Sequence, residues 1–160
     1  SFKGVDDYKT IIIQALADRL AEAATEWLHE KIRREYWGYV PDENLTPAQL
    51  IAEQYTGIRP AIGYPACPDH TEKSTLWRVL DVERRIGISL TESYAMNPPA
   101  SLSGLIFAHP ESRYFAVGPI AEDQVRDYAE RKNESLAFVQ KWLLPNLREP
   151  VSLPPPTDEK

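Results

Sequence analysis

Arg59-Pro60-Ala61-Ile62-Gly63-Tyr64-Pro65-Ala66-Cys67-Pro68-Asp69-His70-Thr71-Glu72-Lys73 holds three of the chain's fourteen prolines and one of its seven glycines. Each proline fixes its own φ, lacks an N–H and pushes the residue before it (Arg59, Tyr64, Cys67) towards extended geometry. The segment is therefore predicted to be a stiff, extended loop outside regular secondary structure. It joins two stretches with helical patterning. Such a loop holds an arginine, a tyrosine and free backbone amides in fixed positions, as the wall of a small-molecule site requires. A purely structural connection between helices satisfies the same composition.

Upstream, a helical pattern runs from about Asp7 to Tyr36. Ile13, Leu16, Leu20, Ala24, Trp27 and Leu28 recur at three- and four-residue spacing as one apolar stripe, and five alanines between 15 and 24 favour helix. Glu22, Glu26, Glu30 and Arg34 follow another face, which reads as solvated surface, with Glu22 beside the small-residue patch. Tyr36-Trp37-Gly38-Tyr39-Val40-Pro41 ends this helix, with its aromatics expected on the core. Thr46-Pro47-Ala48-Gln49 has the form of a capping box and predicts a short helix to Tyr55, closed by Gly57.

Downstream, Asp69 or Thr71 caps a helix whose face is set by Leu76, Val79, Leu80, Glu83 and Ile86, with Gly87 as terminator. Residues 88–96, 100–107 and 113–120 alternate as strands and suggest an antiparallel hairpin or meander, with a turn at His109-Pro110-Glu111-Ser112. Two further helices cover about 121–133 (Val125, Tyr128, Ala129 inward) and 135–144 (Phe138, Val139, Trp142 inward). Residues 148–160 are proline-rich and predicted to be a disordered tail. The fold class is α+β: a long N-terminal helix and several shorter helices packed on a small antiparallel sheet.

The length of 160 residues suits one domain, residues 1–147, and 42% hydrophobic with 26% charged content is ordinary for a globular protein. No apolar run is long enough to cross a membrane, and a net charge of −6 argues against nucleic acid as partner. The single cysteine, Cys67, excludes an internal disulfide and fits a reducing cytosol. The chain opens at Ser1 and its sole methionine is Met96, so an excised fragment is expected.

Catalytic groupings are scarce. Cys67-x-x-His70 lacks the further ligands of a zinc site, and Cys67 as nucleophile has no base beyond His70. Gly57 and Gly63 match no phosphate-loop fingerprint. Arg59 stands out, because an arginine fixed before proline offers a bidentate fork to a carboxylate; a salt bridge to a local glutamate such as Glu53 is the alternative. In Tyr114-Phe115, strand geometry would turn one ring to the core and the other to a cleft.

Residues 59–73 resemble the signature of the C-terminal activation domain of cobalamin-dependent methionine synthases. Residues 15–23, Tyr36-Trp37-Gly38-Tyr39, Leu90-Thr91-Glu92-Ser93-Tyr94-Ala95-Met96 and Tyr114-Phe115-Ala116-Val117 agree, and the likeness spans about residues 5–147. The resemblance implies a module that binds S-adenosylmethionine and brings it to oxidised cobalamin, with a flavodoxin-type donor supplying the electron. Arg59 would hold the ligand's carboxylate; Ala61, Gly63 and Tyr64 would line the adenosine side; Tyr114 and Phe115 would complete the site. Glu22 and Glu53 are further candidates for its ammonium or ribose. The cobalamin and zinc would belong to other domains of a cytoplasmic enzyme, and this chain alone would not be catalytic. The alternative is a docking module for the cobalamin domain or flavodoxin without ligand binding of its own.

Overall fold

A computed structural model describes residues 7–149; residues 1–6 and those from 150 onward, where most of the predicted tail falls, lie outside the description. The predicted α+β class is observed, with six α-helices and one two-stranded antiparallel sheet among the described residues.

Helix α1 (Asp7–Lys31) continues through a π-helical turn, Ile32–Tyr36, so the helix predicted over 7–36 is present in full. Trp37 and Gly38 N–H groups both donate to Ile32 O, at 3.0 and 3.1 Å, and Gly38 at φ +68° turns the chain away. The apolar stripe does not go where the pattern suggested. Ile13, Leu16, Leu20, Trp27 and Leu28 are exposed, Leu20 by 72%, and His29 is the one buried residue of α1. The helix is therefore not laid on the sheet. Tyr36 and Trp37 are exposed too, Trp37 standing edge-on to Tyr39 at 5.3 Å rather than in a core.

The capping box forms as predicted: Gln49 N donates to Thr46 Oγ1 at 3.3 Å and Thr46 N to Gln49 Oε1 at 2.8 Å. Helix α2 (Pro47–Ile51) stops earlier than expected, because Glu53 takes a left-handed φ of +53°. Tyr55 thereby leaves the helix and enters the interior.

Asp69 caps the next segment, its Oδ1 accepting from Thr71 N at 2.8 Å and Thr71 Oγ1 at 2.7 Å. A 3-10 turn, His70–Glu72, leads into α3 (Lys73–Leu80). Asp81, at φ +52°, breaks what was expected to be one helix, and α4 (Val82–Ile86) ends at Gly87 as predicted. The break resets the helical phase. Val79, Leu80 and Ile86 are exposed, while Val82 is buried and the Trp77 indole N–H donates to Ile88 O at 2.7 Å.

The strand predicted over 88–96 is a hairpin instead: β1 (Ser89–Leu90) pairs with β2 (Met96–Asn97) around a polar turn in which Tyr94 N donates to Thr91 O. The segments 100–107 and 113–120 make single pairings, not strands. Ile58 and Phe107 exchange two hydrogen bonds (3.0 and 2.9 Å), Leu105 N donates to Pro60 O, and Val117 N to Pro65 O. The reason lies in the proline-rich loop they border: with so many N–H groups missing, a ladder beside it cannot propagate.

The apolar core lies between α5 (Glu122–Lys132) and α6 (Leu136–Leu143), where Val125, Ala129, Val139 and Leu143 meet Ile120. Tyr128 OH and Lys132 Nζ on α5 donate to Asp69 Oδ2 at 2.8 and 3.0 Å, tying the end of the loop to this core. Burial would raise the Asp69 carboxyl, but hydrogen bonds from Thr71 and Lys132 outweigh it and hold it below its ordinary value.

At the opposite end, Arg33 and Glu43 form a buried pair with side-chain exposures of 0% and 6%. Arg33 Nε lies 2.9 and 2.8 Å from the two Glu43 oxygens, and Nη2 lies 2.5 Å from Oε2. Glu43→Ala would strand this buried charge. The expected loss is about 3–5 kcal/mol in urea unfolding, largely recovered in the Arg33→Met/Glu43→Leu double variant; a loss under about 1 kcal/mol would show that water screens the pair.

Candidate functional site

Tyr55 collects the charged groups of the N-terminal half. The guanidinium carbons of Arg33 and Arg59 lie 4.9 and 5.7 Å from its ring centroid, and His29 meets it edge-on at 4.8 Å and 82°. Its hydroxyl lies 3.0 Å from that of Tyr114, whose oxygen also accepts the Arg59 backbone N–H at 3.0 Å. Burial, then the Tyr114 hydrogen bond, pushes the Tyr55 phenol up, so it stays neutral.

Arg59 is thus fixed through its backbone as well as by Pro60. Its side-chain partner is Glu26 of α1, which pairs with Nη2; the alternative of a salt bridge to a glutamate thus forms, but with Glu26 and not the local Glu53. Glu53 sits in the left-handed turn after α2, and Glu22 pairs with Arg19 at 2.6 Å on the helix surface. Nη1 of Arg59 is buried and has no hydrogen-bond partner among the described residues. Burial works against the charge, but the hydrogen bond and charge of Glu26 prevail and raise the pKa of Arg59.

The loop beyond Arg59 is less open than a run of free amides. Gly63 N donates to Cys67 O at 2.7 Å and Cys67 N to Tyr64 O at 2.8 Å, closing a tight turn. Gly63 has φ +93°, and a Cβ there would lie 2.3–2.8 Å from ring atoms of His70. The imidazole therefore packs directly against the glycine. His70 Nδ1 in turn lies 2.9 Å from Lys73 Nζ, a buried amine that also donates to Tyr94 O. Burial, then the Lys73 charge, lowers the His70 pKa, so the imidazole is held neutral. Ala61 is half-buried and Tyr64 exposed. Tyr114 and Phe115 are both exposed, which corrects the expectation that one would face the core: the backbone there is not a strand and does not impose alternation.

Arg59, Tyr114 and the loop are brought together; Glu22 and Glu53 do not contact Arg59 by any hydrogen bond or ion pair. Glu26, His29, Arg33 and Tyr55 belong to the same group and were missed by the sequence reading. Their signal was present as the spacing 22, 26, 29, 33 along one helix face, hidden because Glu30 and Arg34 offer a competing charged row. Burial, then Glu72 and Asp69, raises the Cys67 thiol pKa, the opposite of what a nucleophile needs. Among the described residues no cluster of three or more His, Cys, Asp and Glu is placed to hold a metal. A groove of about 480 Å³ has Thr71, Tyr94, Tyr128 and Lys132 in its lining, Arg59 is not among its lining residues, and its Tyr128 and Lys132 are bonded to Glu72. The Arg59 site is an open wall, and its chemistry, not its depth, singles it out.

Residues 2–133 match the family model described as vitamin B12 dependent methionine synthase, activation domain. The fold is similar to the crystal structure of the MetH reactivation domain bound to AdoHcy, with a TM-score of 0.88 and 59% sequence identity. That similarity covers 91% of this chain and 45% of the other, so this chain spans less than half the length of that structure.

Two outcomes test this arrangement. Gly63→Ala places a side chain at positive φ and against His70, and is expected to cost roughly 2–3 kcal/mol; adding His70→Ala should return the steric share, seen as a positive coupling in a double-mutant cycle. His29 is the second case. Burial, then Arg33 and Arg59, lowers its pKa from 6.5 to about 4. Its contribution is complete above pH 6.5 and is lost as the pH falls from there through about 4, for up to about 3 kcal/mol. His29→Phe should flatten that part of the stability–pH curve, and an unchanged curve would contradict the assignment.

Proposed function

Because the chain belongs to the family of vitamin B12 dependent methionine synthase activation domains, we propose that its 59–73 loop holds S-adenosylmethionine for the reactivation of that enzyme. The observation that carries this reading is the Arg59 guanidinium, fixed over Tyr55 with one buried nitrogen lacking a partner among the described residues, while its backbone N–H is held by Tyr114, whose ring and that of the next residue, Phe115, are exposed. A carboxylate suits that fork, and a sulfonium suits aromatic faces. The turn around Ala61 and Gly63, with the Tyr64 ring, offers a flat edge for the adenosine. Glu22 and Glu53 are the further candidates, as partners for ribose or ammonium. AdoHcy, the ligand of the 59% identical crystal structure, is S-adenosylmethionine without its transferable methyl group, which supports the same chemistry here.

In this reading S-adenosylmethionine supplies a methyl group to cobalamin held by another module of the same cytoplasmic enzyme, and a flavodoxin-type donor supplies the electron. The chain's own residues bind and orient: Arg59 fixes one end of the ligand, and Tyr114 fixes Arg59. None is a catalytic residue, so the chain by itself is not a methyltransferase. Residues 1–147 form the C-terminal part of the activation domain, and zinc belongs elsewhere in the enzyme. Docking to the cobalamin module or flavodoxin is the second reading, favoured by the exposed Leu16, Leu20, Trp27 and Trp37.

Calorimetric titration of S-adenosylmethionine into the full-length protein carrying this chain tests the assignment. Arg59→Ala should weaken binding by about 2 kcal/mol, Tyr114→Phe by less, and Cys67→Ser hardly at all. Undiminished binding to the Arg59 variant would sink the carboxylate role.

A further inference from the structure

Arg59 already has a carboxylate. Glu26, thirty-three residues upstream on α1, is hydrogen-bonded to its Nη2, and this ion pair links helix to loop. The Glu26 side chain is 46% exposed and that of Arg59 22%, so the pair stands at the solvent edge of the wall and not in the core. The rest of Arg59 is anchored: its backbone N–H by Tyr114, its φ-restricted successor by Pro60, its guanidinium by the Tyr55 ring. Glu26 has no such second anchor among the described residues. The hydrogen bond to Arg59, acting against burial, holds its carboxyl below the ordinary range, so it is a carboxylate at neutral pH.

A ligand carboxylate needs two parallel N–H groups of the fork, and Glu26 occupies the Nη2 end. We propose that Glu26 is a resident competitor for the carboxylate of the ligand, and that Arg59 exchanges Glu26 for that carboxylate when the ligand binds. The inference rests on the ligand reading above and deepens it. It has a physical purpose: a half-buried guanidinium left without a counter-charge would be costly, and Glu26 neutralises it until the ligand does. The exchange moves only a flexible glutamate, because every other support of Arg59 stays in place. It also makes a selective prediction. Only ligands that bring a carboxylate must displace Glu26, so its removal should help those ligands alone.

The test compares S-adenosylhomocysteine with 5′-methylthioadenosine, which has the same nucleoside and no amino-acid end, in the full-length protein carrying this chain. Glu26→Gln keeps shape and removes charge; Glu26→Ala guards against a residual amide contact. Both variants should bind S-adenosylhomocysteine about three- to fivefold more tightly, as release of a partly exposed ion pair allows. Their affinity for 5′-methylthioadenosine should equal that of the wild type, and Arg59→Ala should erase the gain. Weaker S-adenosylhomocysteine binding with the nucleoside unchanged would make Glu26 a ligand for the ammonium and overturn the proposal. Equal losses for both ligands would make the pair structural, and no change would make it irrelevant; either overturns it. If the wild type binds neither ligand, the ligand reading itself falls, and the exchange with it.

Discussion

Burying Arg33 is the constraint from which the N-terminal half follows. A guanidinium with no exposed side-chain surface needs a full counter-charge, and the polar segment after the first helix brings Glu43 back to supply it at 2.5–2.9 Å. The same guanidinium needs a ring to lie against, which is Tyr55. Tyr55 reaches that position only because α2 ends after Ile51 and Glu53 turns the chain at positive φ. Once Tyr55 is in place, His29, Arg59 and Tyr114 assemble around it. A left-handed glutamate and a short helix, each unremarkable alone, thus serve one buried charge.

The proline-rich loop is held at three places by different means. Its start is held by the Tyr114 hydroxyl on Arg59, its middle by His70 packed against Gly63, and its end by Asp69 bonded to Tyr128 and Lys132. None of these is a ladder of backbone bonds. The prolines that stiffen the loop also prevent its neighbours from becoming strands, which is why residues 100–120 bond to it at single points and stay outside the sheet. These side-chain anchors add to the prolines and to the backbone bonds that Leu105 and Val117 make to Pro60 and Pro65, and each anchor can be altered one residue at a time.

The first helix shows how far periodicity carries. Its helical state was legible in spacing and alanine content, and so were the caps at Thr46 and Asp69 and the terminator Gly87. Its apolar stripe was equally legible, but a stripe states only that a face is apolar. In this chain the face that binds is the charged one: Glu26, His29 and Arg33 turn to Tyr55 and Arg59, while Leu16, Leu20 and Trp27 remain exposed. Likewise, the alternation over 88–96 reads as one strand only if Glu92 is passed over; the run Thr91-Glu92-Ser93 interrupts it, and the chain turns there.

By itself, the sequence determined the α+β class, the first helix and its end, the caps at Thr46 and Asp69, the stop at Gly87, and the prominence of Arg59, but not the early end of α2 or the break at Asp81. These are local properties, set by φ restrictions, capping groups and periodicity within a few residues. The tertiary structure alone decided which carboxylate meets Arg59, which ring lies beneath it, and which side of α1 is used. Those partners lie tens of residues apart in the chain. Several carboxylates and rings were chemically equivalent candidates, and only the folded path of the backbone, bent at Glu53 and fixed by the buried Arg33–Glu43 pair, selected among them.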